Sequence, residues 1–283
     1  MINYESEYNK KSSGEKILNV CKTIYNSAIF GLNIIPNLFY TDKYVISPNP
    51  NNPNMAYEPI EFKTNSKGLI VAIHGLLGSP RSFGYEIGKK ISKYNLDDID
   101  YISPIVPYRG NCALEISSKP IYDLILQWIK INPSKPIHII SCSNGCRIAS
   151  FIETNLRNLD LDIKLTCVVG AFDGSINIDN FGNLLGFILD KNLLDEMKTN
   201  SAVNNKLKEK INSEIEIGTR HYEFYGTAND SYIPNFNGCF PIIEEKKNLT
   251  VIYHDLKIGY GHVSLPWYLL DEILISSYTW FKL

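Results

Sequence analysis

The sequence lacks a surplus of charge of either sign. Among its 283 residues, 28 lysines and arginines stand against 30 aspartates and glutamates, which leaves a net charge of −2. Nucleic-acid-binding proteins usually carry a basic stretch or face, and none is present here. The glycine patterns that cradle phosphate groups are also missing. We therefore expect no nucleic-acid partner and no cofactor.

The sequence also lacks the signs of a secreted, disulfide-linked or metal-binding protein. It shows neither the charged start nor the cleavage site of a secretory signal. We therefore expect a cytoplasmic protein with reduced cysteines. No Cys/His pair has the spacing of zinc ligands, so we expect no metal. The six cysteines are Cys21, Cys112, Cys142, Cys146, Cys167 and Cys239.

No apolar run in the chain is long and clean enough to span a membrane. Residues 23–41 carry no charge, but Pro36 and several asparagines interrupt them. Two interpretations stay open for this segment. It forms a helix packed on the core, or a helix that makes peripheral contact with a membrane surface. We assign residues 1–56 to an N-terminal tail and helical extension.

The most informative feature that is present is Ser143. It lies between a short β-branched segment, which predicts a strand, and a segment that predicts a helix. A serine at a tight strand-to-helix turn has its hydroxyl pushed out of the backbone, and the residues two before and two after it must be small. Ser141 and Gly145 meet that need. The alternative is that Ser143 only caps the helix.

A second motif lies upstream, where a predicted strand over Leu69–Ile73 is followed by His74-Gly75. At this point the chain resembles the α/β-hydrolase superfamily, in particular its serine esterases and lipases. The resemblance implies that the backbone N–H groups of Leu76 and Asn144 form an oxyanion hole. We interpret His74 as a residue that braces the loop.

The downstream segments supply the partners that a serine nucleophile needs. Asp230 follows a predicted strand, and His262 lies in a Gly-His-x-x-Leu segment after the last predicted strand. The resemblance implies a catalytic triad of Ser143, His262 and Asp230 in the family's chain order. Asp173 is a rival acid. Asp230 could instead be a turn residue, and His262 a surface residue.

Alternating strand and helix patterns predict an α/β fold with a mostly parallel sheet flanked by helices. The resemblance places the α/β-hydrolase domain at residues 57–283, with a cap or lid inserted after the sixth strand at approximately 175–220. The apolar residues of this insertion line an acyl pocket, form a mobile lid, or only pack on the domain. The expected strands are Tyr57–Thr64, Leu69–Ile73, Tyr101–Val106, Pro136–Ile140, Lys164–Val169, Tyr222–Gly226 and Leu249–Tyr253. The expected helices are Pro80–Tyr94, Lys119–Ile131, Asn144–Leu156 and Pro266–Phe281.

Together these features predict a serine hydrolase that cleaves an acyl ester through an acyl-enzyme, as a carboxylesterase or lipase does. The expected substrate is a small-molecule ester or a lipid. A thioesterase or amidase would use the same triad, and a non-catalytic binding protein could share the fold. The oligomeric state stays open.

Overall fold

The computed structural model describes most of the chain after residue 60. The described residues are 61–80, 83–94, 96, 98–228, 230–234 and 236–282, with isolated positions at 13–15, 17, 18, 21, 22, 25, 47, 48, 57 and 58. The described positions between 13 and 25 are helical. Apart from residues 47 and 48, the rest of the predicted N-terminal extension lies outside the described residues. Its membrane contact and the domain boundary at residue 57 therefore stay predictions.

Six strands form one parallel sheet. Two further strands of two residues each, β1 (Ser47–Pro48) and β2 (Tyr57–Glu58), pair with each other and lie outside this sheet. The strands of the main sheet are β3 (Leu69–Ile73), β4 (Asp100–Ile102), β5 (Ile137–Cys142), β6 (Ile163–Val168), β7 (Arg220–Tyr225) and β8 (Leu249–Tyr253).

The order of the strands reverses direction between β3 and β5. The order is β4-β3-β5-β6-β7-β8, and every neighbouring pair is parallel. The chain leaves β3 toward β4 and then returns to the other side of β3 as β5. In open parallel sheets, ligands bind outside the carboxyl ends of the strands at such a reversal. The loops that follow β3 and β5 meet there.

Helices cover both faces of the sheet. They are α1 (Phe83–Ile91), α2 (Leu114–Ile131), α3 (Asn144–Asn155), α4 (Ile176–Leu185), α5 (Lys191–Glu196), α6 (Ala202–Ile211), α7 (Phe236–Cys239), α8 (Leu265–Tyr268) and α9 (Leu270–Phe281). None of the described helices is long and apolar enough to cross a bilayer.

The apolar core lies in two layers, because successive residues of a strand face opposite sides of the sheet. Ile70 and Ala72 of β3 pack in one layer with α1 and α9. Leu69, Val71 and Ile73 pack in the other layer with α2 and α3. All of β3 is buried, as in strands covered on both faces, which explains its continuous apolar sequence.

Helix α3 is anchored at its far end by a buried cluster of charges. Glu153 is completely buried, and its Oε1 lies 2.8 Å from Arg220 Nε and 3.2 Å from Arg157 Nε. The Tyr222 hydroxyl also donates a hydrogen bond to Glu153. Buried charges need such partners, because an unpaired one is costly to keep away from water. This cluster ties α3 to β7.

The structure confirms the predicted parallel sheet and its flanking helices, with three differences. Of the expected strand at Tyr57–Thr64, the described residues show only Tyr57–Glu58 (β2) in a strand, and β2 pairs with β1 outside the main sheet. The expected strand at Tyr101–Val106 is reduced to the three residues of β4. Helix α2 starts five residues before the expected Lys119. Helices α4 to α6 occupy the predicted insertion, whose function as a lid stays a prediction.

Candidate active site

Ser143 lies at the turn between β5 and α3, at the carboxyl end of the sheet. Its backbone has φ 55° and ψ −130°, a conformation that residues with a side chain rarely adopt. Such strain persists only where the surrounding structure enforces it. The strained turn projects the hydroxyl out of the backbone, as expected of a nucleophile elbow.

Neighbouring backbone crowds this turn and requires very small residues. A Cβ on Gly145 would lie 2.6 Å from the His74 carbonyl oxygen and 2.7 Å from that of Ile73. A Cβ on Gly75 would lie 2.9 Å from Ser143 Cβ. Ser141 is also fully buried, but its hydroxyl donates to the Thr166 carbonyl of β6 at 3.2 Å. A serine therefore fits where such turns usually carry glycine.

The structure brings Ser143, His262 and Asp230 into one hydrogen-bonded chain. His262 Nε2 lies 2.7 Å from Ser143 Oγ, and His262 Nδ1 lies 2.7 Å from Asp230 Oδ2. Since a carboxylate can only accept, Nδ1 carries the proton and Nε2 is free to accept one from the serine. The side chains of His262 and Asp230 are both buried.

Hydrogen bonds within and between two loops hold Asp230 and His262 in position. Asp230 Oδ1 accepts hydrogen bonds from the N–H groups of Tyr232 at 2.9 Å and Ile233 at 2.8 Å. The loop after β7 is joined to the loop after β8 by Thr227 Oγ1, which lies 2.5 Å from the Tyr260 carbonyl oxygen. Two loops that are distant in sequence thus present Asp230 and His262 to each other.

Asp173, the rival acid, and His254, the other histidine that follows Asp230 in the sequence, are engaged elsewhere. Asp173 forms an ion pair with Lys208. The His254 ring stacks on Tyr225 with ring centroids 3.8 Å apart, and burial lowers its pKa. Neither side chain has a described contact with Ser143 or His262.

The two amides expected to hold an oxyanion both lie beside Ser143. Asn144 is the first residue of α3, and Leu76 follows Gly75 in the loop after β3. Within the described residues, neither backbone N–H has a protein acceptor. The first N–H groups of a helix have no partner inside the helix, which leaves the Asn144 amide available to a ligand. Their role as an oxyanion hole stays a prediction.

Two solved structures have the same architecture. A putative esterase from Staphylococcus aureus superposes with a TM-score of 0.52 and 14% identity, covering 86% of this chain and 88% of that chain. An arylesterase superposes with a TM-score of 0.50 and 15% identity, covering 80% of this chain and 79% of that chain. The chain has the α/β-hydrolase fold. Similarity at this level of identity establishes the fold and leaves the substrate open.

A further similarity covers only part of a larger protein. Phospholipase PlaB from Legionella pneumophila superposes with a TM-score of 0.42 and 15% identity, covering 55% of this chain. The present chain spans 37% of the length of that phospholipase. No protein-family model and no curated protein sequence matches the chain.

His74 is a neutral residue that braces the end of β3. Its Nε2 accepts a hydrogen bond from the Val106 N–H at 3.1 Å, so Nδ1 donates to the Gly75 carbonyl oxygen at 2.8 Å. Burial lowers the pKa of His74 to about 4, although the Gly75 hydrogen bond opposes this and the charge of Arg109 supports it. His74 therefore links the loops after β3 and β4.

Arg147 is a functional candidate that sequence reasoning missed. It lies one helical turn after Ser143 and is completely buried. Its Nη1 donates to Asn144 Oδ1 at 3.0 Å, and its Nε donates to Asn204 Oδ1 of α6 at 3.1 Å. Its Nη2 lies 3.7 Å from Glu196 Oε2 of α5. Burial lowers the pKa of Arg147 to about 10.

This arginine joins the insertion to the residue beside the serine. The side-chain Nδ2 of Asn144 in turn donates to the Gly110 carbonyl oxygen at 3.4 Å. Glu196 Oε2 accepts the first backbone N–H of α2, that of Leu114, at 2.9 Å. The side chain of Asn144 is thus positioned by a network that spans α2, α3, α5 and α6.

The other reactive or charged groups near the sheet either lie away from this site or are unreactive. Burial raises the pKa of Cys142 to about 12, so the thiol beside Ser143 is a poor nucleophile. A cavity of about 1060 Å³ lies at the amino ends of the strands, where Lys164 pairs with Glu223, and it includes no triad residue. Among the described residues, no group of His, Cys, Asp and Glu side chains could hold a metal ion.

The Arg147 network predicts a non-additive effect on stability. Arg147→Met should lower the free energy of unfolding by about 3 kcal/mol, because it leaves the Glu196 carboxylate half-buried without its cation. Arg147→Met combined with Glu196→Gln should cost less than the sum of the two single changes, since glutamine still accepts the Leu114 N–H. Urea unfolding of the parent, the two single variants and the double variant measures the four free energies of unfolding. Strictly additive values would mean that Arg147 and Glu196 do not stabilise each other.

The buried neutral His74 predicts acid sensitivity. The unfolded chain binds a proton near the ordinary histidine pKa of about 6.5, and the folded chain only near pH 4. Stability from His74 is therefore present above pH 6.5 and is lost as the pH falls toward 4, by about 3 kcal/mol.

Urea midpoints measured across this pH range test the assignment. His74→Gln should be less stable at pH 7 and should show a shallower decline on acidification. A remaining slope is expected from His138, whose pKa is also lowered by burial. An unchanged slope in the variant would mean that His74 is not the titrating group.

Proposed function

We propose that this protein is a serine hydrolase that cleaves acyl esters. The observation that carries the proposal is the chain of two 2.7 Å hydrogen bonds from Ser143 through His262 to Asp230. A serine hydroxyl is a weak nucleophile, and a histidine oriented by a carboxylate is what activates it. The two superposed structures are also named as esterases, which favours an oxygen ester as substrate.

In the first half of the proposed reaction, Ser143 Oγ attacks the carbonyl carbon of the ester. Its proton passes to His262 Nε2, and the Asp230 carboxylate stabilises the imidazolium that forms. The N–H groups of Leu76 and Asn144 stabilise the oxyanion, since donors fixed in advance need not reorganise as charge develops. His262 then protonates the leaving alcohol, which departs and leaves an acyl-enzyme on Ser143.

In the second half, water replaces the alcohol. His262 accepts a proton from the water as it attacks the acyl carbonyl, and the same two amides hold the second oxyanion. The tetrahedral intermediate collapses, His262 returns the proton to Ser143 Oγ, and the carboxylic acid is released. A thioester or amide would follow the same path with a thiol or amine as the leaving group.

Removal of the proposed nucleophile tests the function directly. Ser143→Ala should lower the turnover of p-nitrophenyl esters at least about a thousandfold while the melting temperature stays near that of the parent. The parent should also form a single adduct with a fluorophosphonate probe, located on Ser143 by mass spectrometry. Short- and long-chain esters, with matched thioesters and amides, separate the three leaving-group classes.

Ser231→Ala provides a control at an exposed serine beside Asp230 and should keep both labelling and turnover. A well-folded parent that shows neither labelling nor turnover would favour a non-catalytic binding protein on the same fold. An adduct on a different serine would reject Ser143 as the nucleophile.

The assignment of Asp230 as the acid predicts that the same substitution lowers kcat far more at Asp230 than at Asp173. Asp230→Asn should lower kcat by about a thousandfold, because asparagine neither fixes the His262 tautomer nor stabilises its charged form. Asp173→Asn removes only the pairing with Lys208 and should leave kcat within a few-fold of the parent. Steady-state kinetics on one soluble ester measures both, and the opposite order would transfer the acid role to Asp173.

A further inference from the structure

The insertion between β6 and β7 exposes an unusual number of large apolar side chains. Phe187 is 90% exposed, and four others in the same segment are between 45% and 68% exposed. We call this set the apolar crest: Ile176, Phe181, Leu184, Phe187 and Ile188. Single exposed apolar residues are normal in proteins, but a cluster of this kind marks an interaction surface.

The crest is not required by packing, because the inner side of the same segment already covers the core. Ile178 is buried in the core layer that contains α2 and α3. Leu185 and Leu189 pack against that layer from the inner side. A helix that only covers a core presents polar residues to solvent. Here the outer side carries large apolar residues beside its polar ones, and these apolar residues need a separate explanation.

Both ends of the crest segment are attached at the rim of the candidate active site. At its start, Ser175 Oγ donates to the Tyr232 carbonyl oxygen at 2.5 Å, and the Tyr232 ring lies 5.2 Å from that of His262. At its end, Asn111 Nδ2 donates to the Ile188 carbonyl oxygen at 2.9 Å. The crest therefore runs between the loop that carries Asp230 and the loop after β4.

Most of the crest segment is uncharged, so it offers little electrostatic attraction to a charged partner. Residues 180–189 contain no charged side chain. The two flanking carboxylates accept local hydrogen bonds, Asp179 from Thr199 and Asp190 from the first N–H groups of α5. The segment therefore suits hydrocarbon better than a charged protein surface or an anionic head group.

We propose that the apolar crest docks this protein on a lipid surface and holds the Ser143 site beside it. The choice of lipid, rather than another apolar partner, rests on the proposed ester hydrolysis, since a lipid surface presents acyl esters at the rim where the crest is attached. Binding by the crest arises from apolar burial. It is therefore independent of ionic strength and of anionic lipid content.

Sedimentation with phosphatidylcholine vesicles tests the proposal. The full chain carries Ser143→Ala throughout, so that no lipid is hydrolysed and binding is measured apart from catalysis. Leu184→Ser with Phe187→Ser should lower the vesicle partition coefficient by about tenfold or more, because two large apolar side chains no longer enter the interface. The control is Ile242→Ser with Ile275→Ser, at apolar positions outside the crest that are also more than half exposed, and it should bind as the parent does. Melting temperatures check that all variants fold.

Each outcome has one meaning. Crest-dependent binding that is unchanged by added phosphatidylglycerol or by high salt supports the proposal. A parent that does not sediment, or a crest variant that binds like the parent, overturns it. If the crest variant changes a dimer to a monomer in light scattering and vesicle binding is unaltered, the crest is an interface between copies. If the Ser143→Ala series shows crest-dependent binding but the protein with Ser143 intact shows no esterase activity, the proposed function is refuted and the docking surface still stands.

Discussion

The candidate site depends on how closely the turn after β5 approaches the end of β3. These strands are parallel neighbours at the reversal of the sheet order, so the loops that follow them must share one small space. Gly145 and Gly75 leave no room for a side chain on either side of the contact. This close approach sets the strained backbone of Ser143 and puts the Leu76 and Asn144 amides near its hydroxyl. The loops that carry Asp230 and His262 extend to the Ser143 hydroxyl, where their side chains complete the hydrogen-bonded chain.

Helix α3, which begins directly after Ser143, is held in position by ion pairs near both of its ends. Glu153 ties its last turn to β7, and Arg147 ties its first turn to the insertion. Each of these pairs must stay intact, because removing one partner leaves an uncompensated charge away from water. The insertion is joined at α5 and α6 to the residue next to Ser143, and its apolar crest lies on the preceding segment. One part of the insertion thus serves as support and another as an exposed surface.

The features that the sequence predicted correctly are those encoded by local patterns of residues. The features that it missed depend on contacts between segments that are distant in the chain. The strands over Leu69–Ile73 and Leu249–Tyr253 have the expected bounds, because short apolar runs end there at polar or turn residues. The start of α2 was missed, since Pro120 lies in its interior although proline usually marks a first turn. The site segments follow recognisable motifs and could be named in advance. No periodicity marks Arg147 as a buried link to Glu196, since that contact spans about fifty residues.

The left-handed backbone of Ser143 has a consequence for how this chain can change. A glycine at that position would adopt φ 55° without strain, and relief of about 1 kcal/mol would accompany the loss of the hydroxyl. At this turn, the residue that relieves the strain is therefore not the one that carries the proposed nucleophile. Engineering for thermal stability alone would therefore favour glycine over serine at this turn.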